Sequence, residues 1–119
     1  MGYISGFLTP VKAENKERYI ASAKASWEMF KGYGAIEQIE GWGVDVPDGT
    51  NTSFPMAVKL EEGEVVVFAW LRWPDKATAD AAWAKMMEDP AMKEMDMPFD
   101  GKRMMWGGFE TVFESPPQT

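Results

Sequence analysis

The chain contains no cysteine and no histidine. Without cysteine there is no disulfide, no thiol nucleophile and no thiolate metal site. Without histidine there is no Ser-His-Asp triad, and the commonest general base and the commonest zinc ligand are both missing. Basic residues are scarce too: 12 Lys and Arg stand against 19 Asp and Glu, a formal net charge of -7. Proteins that bind nucleic acid usually carry a basic patch. Here Lys102-Arg103 is the one adjacent basic pair, so no nucleic-acid partner is expected. Long apolar runs are also lacking. The strongest, Val65 to Leu71, is far too short to cross a bilayer, so no membrane association is expected either. The first residues lack the basic start and apolar core of a secretory signal, which makes the cytoplasm the expected location.

What is present is a globular pattern. Hydrophobic residues make up 45% of 119 positions, enough for one domain with a core. The chain is organised around Glu64 to Asp89. Val65 to Trp73 is β-branched and aromatic, and it is apolar on both period-two faces until Arg72. A strand covered on both faces belongs in the middle of a sheet. Pro74 ends it, and Asp75 is placed to cap a following helix. Ala79, Ala82, Trp83, Met86 and Met87 then recur at helical spacing, and Asp89-Pro90 stops the helix.

The rest of the chain reads in order. Tyr3 to Val11 is a first strand, with Pro10 at its end. Glu14 to Lys31 is a helix burying Ile20, Ala23, Trp27 and Phe30, with Tyr19 at the margin of that stripe. Ala35 to Val46 is an edge strand. Thr50 to Leu60 continues as an extended connection, pairing over Ala57 to Leu60. Ala91 to Met97 is a short helical turn. Lys102 to Glu114 is the last strand, and Gly107-Gly108 marks a bulge in it. One domain therefore spans residues 1–114, and 115–119 form a frayed tail.

The order strand-helix-strand-strand-helix-strand predicts an α+β, ferredoxin-like β-α-β-β-α-β antiparallel sheet with both helices on one face. The other face would expose Phe68, Trp70 and Met105. An apolar sheet face of that kind usually marks an interface, so a homodimer is expected, sheet against sheet. Several strings carry a resemblance: Asp45-Val46-Pro47-Asp48-Gly49, Thr52-Ser53-Phe54-Pro55, Met97 to Met104 (MPFDGKRM) and Gly107-Gly108-Phe109. Through them the chain resembles the YbaA-like family of uncharacterised bacterial proteins, domain of unknown function family 1428. The resemblance implies a dimeric α/β barrel, two ferredoxin-like sheets closed face to face. It implies no established activity.

Candidate chemistry follows from what such a barrel encloses. Tyr3, Trp42, Phe68, Trp70 and Trp106 are candidates to line a cavity between the sheets and hold a small apolar or aromatic molecule. Arg72 and Arg103 are candidates to fork onto a ligand carboxylate or phenolate. The bland reading makes these rings interface core and pairs the arginines with carboxylates. Glu37, Glu40 and Asp45 crowd one strand, but Glu40 and Asp45 fall on opposite faces, so a solvated edge explains them better than a metal site. Ten methionines, clustered late in the chain, fit an adaptable pocket or core better than a Cu(I) site. No catalytic residue, metal or cofactor is assigned. A cofactor-independent monooxygenase and a purely structural dimer are the alternatives to a simple binder.

Overall fold

The computed structural model describes residues 2–115. Residues 116–119 of the expected tail lie outside the described residues. Strand β1 (Tyr3–Lys12) leads through a 3-10 turn (Ala13–Asn15) into helix α1 (Lys16–Gly32) and strand β2 (Glu37–Trp42). A single helical turn α2 (Phe54–Ala57) precedes strand β3 (Glu64–Trp73). Helices α3 (Lys76–Glu88) and α4 (Pro90–Glu94) and strand β4 (Met105–Glu110) complete the chain. The strands form one antiparallel four-stranded sheet in the order β2-β3-β1-β4. This is the ferredoxin-like α+β arrangement, with the doubly apolar β3 and β1 in the centre and β2 at an edge.

Register decides which side chains share a face. Phe7 pairs with Ala69 and Trp106, Thr9 with Val67, and Ser5 with Leu71 and Gly108. On β2, Gln38 and Glu40 face Leu71 and Ala69. This is the helix side, where Leu71 and Trp73 pack against Ala79, Ala82 and Met86 of α3. Inside it, Trp73 Nε1 donates to Ser5 Oγ at 3.1 Å, so the buried indole and hydroxyl satisfy each other. The opposite side carries Ile4, Leu8, Ile39, Phe68, Trp70, Met105 and Phe109. There Phe68 is 48% and Phe109 59% exposed, and among the described residues only the β2–β3 connection reaches over part of it, through Phe54 against Phe68.

Four expectations about local structure change. β1 runs through Pro10 to Lys12 instead of stopping. Pro10 faces Val66, whose carbonyl accepts from Gly43 on the β2 side. Val66 therefore turns its backbone groups away from Pro10, and on its other side β4 pairs only as far as Leu8. No donor is missed there, so proline is tolerated in a central strand. β2 is shorter than expected, Glu37 to Trp42. The expected extended connection contains α2, whose N-cap Ser53 accepts from Met56 N with Pro55 in the first turn, and Val58 behind it is fully buried. Finally, β4 spans only Met105 to Glu110 instead of Lys102 to Glu114, and it has no bulge at Gly107-Gly108. Both glycines pair in regular register with Gly6 and Ser5, and rings lie where their side chains would be: Phe109 over Gly107 and Tyr3 over Gly108.

The buried residues form two clusters, one around Leu71, Trp73 and α3, the other around Val11, Val67 and Ala69. Phe7 packs against both. α1 covers the sheet yet buries no residue fully, whereas α3 buries Ala79, Ala82 and Met86. α1 thus spans a gap rather than a filled interface.

Candidate functional site: a cavity beneath the helices

That gap is a cavity of about 590 Å³ between the sheet and its helices. Its floor is the helix side of the sheet: Phe7 and Thr9 of β1, Ala69 and Leu71 of β3, and Trp106 of β4. α1 supplies Tyr19, Ser22, Ala23, Ser26 and Phe30 from above. The third wall is Trp83 and Met87 of α3 with Met92, Met95, Met97 and Phe99 of the segment behind it. Methionine suits such a wall because its unbranched thioether fills irregular space and repacks easily.

The polar groups gather at one end, between α1 and β2. Tyr19 Oη donates to Glu40 Oε1 at 2.6 Å, and Gln38 Nε2 donates to Glu40 Oε2 at 2.8 Å and to Ser26 Oγ at 3.2 Å. Ser26 Oγ in turn donates to the Ala23 carbonyl, and Ser22 Oγ to the Asp96 carbonyl. Gln38 Oε1 is buried with no partner, alone in that respect among the described residues. Burial pushes the Tyr19 phenol well above its ordinary value, and the neighbouring Glu40 charge and the hydrogen bond to it add to the shift. Tyr19 stays a neutral donor.

The methionine wall is held from outside. Arg18 forks onto Asp96, with Nε at 2.7 Å from Oδ2. That guanidinium holds the Asp96 carboxyl below its usual range. At the other end of the segment Asp89 closes α3, caps α4 by accepting from Ala91 N at 3.0 Å, and accepts from Tyr33 Oη at 2.8 Å. The Tyr33 hydrogen bond lowers the Asp89 pKa.

The seven ligand candidates named from the sequence do not meet in one place. Phe68, Trp70 and Arg72 stand on the open face of the sheet, where Trp70 Nε1 donates to Glu37 Oε1 at 3.2 Å. Tyr3, Trp42 and Trp106 stand on the helix side. Of these Trp106 lines the cavity, and Trp42 packs beside it, 6.5 Å from the Tyr19 ring. Trp70 also borders the cavity, from a position whose side chain points to the other face. Arg103 is engaged elsewhere: it forks onto Glu64 with two bonds of 2.7 Å, donates to Asp100 at 2.8 Å, and reaches the Lys59 carbonyl. The cavity described above therefore lies under the helices, and the Arg103 fork is committed to Glu64 and Asp100. Tyr19, Ser22, Ser26, Gln38 and Glu40 were not singled out as ligand-binding from the sequence. Their signal was the spacing of Gln38, Glu40 and Trp42 on one face of an edge strand, opposite a helix-margin tyrosine. Among the described residues, no three acidic side chains are grouped to hold a metal ion, and no helix is long and apolar enough to cross a membrane.

Comparison with known proteins follows the same lines. The chain is 50% identical over 116 residues to YbaA of Escherichia coli K12, an uncharacterized protein, covering 96% of this chain and 99% of that one. The identity to the Shigella flexneri YbaA is the same. Among solved structures, SnoaB, a cofactor-independent oxygenase from Streptomyces nogalater, matches with TM-score 0.59 at 12% identity over 98% of each chain. A dimeric ferredoxin-like protein from an uncultured marine organism matches with TM-score 0.59 at 13% identity, over 97% of this chain and 100% of that one. At such identities these two bear on the fold alone. The family model described as a protein of unknown function, DUF1428, matches residues 2–101. With that match and the half-identity to YbaA along nearly its whole length, the chain belongs to the DUF1428 family.

Proposed function

We propose that the protein is a cytoplasmic homodimer that binds a small, largely apolar molecule in the cavity under its helices. The observation that carries this reading is the unfilled space itself. A volume of about 590 Å³ walled by aromatic and methionine side chains falls within the ~300–1,000 Å³ of ordinary ligand pockets. Its apolar lining is left partly in contact with water, Met87 at 73% and Trp106 at 68% exposed, and an apolar guest would cover that surface. The dimer is supported by the open sheet face, with Ile39, Phe68, Met105 and Phe109 each at least 40% exposed. A structural neighbour described as a dimeric ferredoxin-like protein supports the same reading.

Binding is tested with a neutral fluorescent probe, N-phenyl-1-naphthylamine, titrated into wild type and Ser22→Trp, whose indole would fill the space below α1. Wild type should enhance the probe's fluorescence and the variant should not. No enhancement with wild type would overturn the reading and favour a purely structural dimer. The dimer is tested by sedimentation of wild type and Phe68→Asp. Wild type should sediment as a dimer and the variant as a monomer. A second reading, a cofactor-independent monooxygenase, draws on one feature: the Glu40 carboxylate beside the Tyr19 hydroxyl gives the cavity a base. SnoaB, on a similar fold, is a cofactor-independent oxygenase. Oxygen uptake with quinol substrates separates it from simple binding.

A further inference from the structure

The polar end of the cavity has an uneven hydrogen-bond inventory. Three hydroxyls line it from α1, and each has its proton committed to another protein group: Tyr19 to Glu40, Ser22 to the Asp96 carbonyl, Ser26 to the Ala23 carbonyl. What remains for a guest is lone pairs: those hydroxyl oxygens and the Glu40 carboxylate, whose oxygens take one bond each from Tyr19 and Gln38 and have further acceptor capacity. Glu40 is the sole charged side chain among the lining residues, and no lysine or arginine lines the cavity. The nearby cations are spoken for. Arg18 is paired with Asp96, and Lys16 lies over the Trp42 ring at 5.4 Å. Around the carboxylate stand rings, with Tyr19 stacked edge-on to Phe99 at 6.2 Å.

We infer that the ligand is an organic amine, a protonated ammonium on an apolar alkyl or aromatic body. This rests on the binding reading above and narrows it. A wall of acceptors with one negative charge rewards a donor that carries positive charge. Ring faces add attraction for the same cation. The opposite chemistry, a carboxylate or sulfonate, would meet repulsion from Glu40, with only neutral donors, the Thr9 hydroxyl and the Trp83 and Trp106 indole N–H groups, to replace its lost water. The net charge of -7 draws cations toward the molecule in the same sense.

The test uses three probes with one body: 3-phenylpropylamine, 3-phenylpropanol and 3-phenylpropionate. Each competes against N-phenyl-1-naphthylamine at pH 7 and low salt. The amine should bind about fivefold more tightly than the alcohol, the scale of one partly solvated ion pair with ring contacts, and the acid more weakly than both. Raising salt should narrow the gap between amine and alcohol. In Glu40→Gln, which keeps an acceptor for Tyr19, the amine's advantage over the alcohol should vanish. The wild-type series and its salt dependence stand without the variant, should that variant fold poorly. If the alcohol binds and the amine does no better, or the acid binds best, the amine proposal is overturned while the cavity reading survives. If none of the three competes although the naphthylamine binds, the proposal also fails. If the naphthylamine itself finds no site, both readings fall together.

Discussion

Replacing Gly108 by alanine isolates one packing decision in this sheet. Gly108 sits opposite Ser5 on β4, and the Tyr3 ring lies across it. A Cβ at this position would stand 2.7 Å from Tyr3 Cζ and closer still to the hydroxyl. Carbon atoms settle at about 3.5–4.0 Å, so the ring must move by roughly 1 Å or more. Tyr3 is packed against the Leu71–Trp73 cluster, so the movement disturbs buried contacts. Overpacking of this kind costs about 1–3 kcal/mol. Against it stands the intrinsic benefit of replacing glycine in a strand, about 0.5–1 kcal/mol. The net expectation for Gly108→Ala is a loss of about 1–2 kcal/mol. In a Tyr3→Ala background the ring is gone and only the intrinsic term remains, so the same change should stabilise by about 0.5 kcal/mol. The coupling between the two sites is then about 1.5–2.5 kcal/mol. Urea unfolding of the four proteins measures it. Equal effects of Gly108→Ala in both backgrounds would refute the idea that the glycine exists to seat the tyrosine.

Three further outcomes are expected. Acid should release the methionine wall before the sheet: Asp96 and Asp89 have pKa values lowered from 3.8, by Arg18 and by the Tyr33 hydrogen bond. A lowered carboxyl contributes stability that is present above the unfolded value and is lost as pH falls through the folded one. Amide shifts of residues 90–97 should therefore change below about pH 4 while those of β3 hold; simultaneous change would contradict this. Arg103→Met should lower the melting temperature and blunt its fall in acid, since Glu64 and Asp100, both lowered by Arg103, lose their partner; an unchanged acid profile would count against the ion cluster. Met86→Ala, in a fully buried position of α3, should cost about 2–5 kcal/mol by urea unfolding, and a loss under 1 kcal/mol would place that side chain outside the true core.

Much of the architecture was legible because it depends on periodicity. The doubly apolar β3 had to be central, and Asp75 caps α3 by accepting from Thr78 N at 2.7 Å, as its position before the apolar stripe implied. Period two separates the faces of a strand but does not say which face the helices take. That choice is made by register, which is why Tyr3, Trp42 and Trp106 were grouped with Phe68 and Trp70 from which the sheet divides them. The cavity was hidden for a different reason. Its polar end draws on Tyr19 and on Gln38 and Glu40, from two elements, and each reads alone as an ordinary exposed or marginal residue. Arg103 had two readings in the sequence, ligand fork or carboxylate partner, because a guanidinium that serves Glu64 and Asp100 looks there the same as one that waits for a ligand.

α4 contributes no buried residue, although the chain from Pro90 to Phe99 forms a side of the cavity. Its attachment is by latches on the outside, the Arg18 fork at one end and the Tyr33 bond at the other. Prising α4 itself loose would forfeit few core contacts and should cost less than global unfolding, whereas Phe99 behind it stays packed against the Val11, Val67 and Ala69 cluster. The cavity, already open to solvent beside Met87 and Trp106, would then widen on its thioether side, with the tryptophan-packed half of the domain undisturbed.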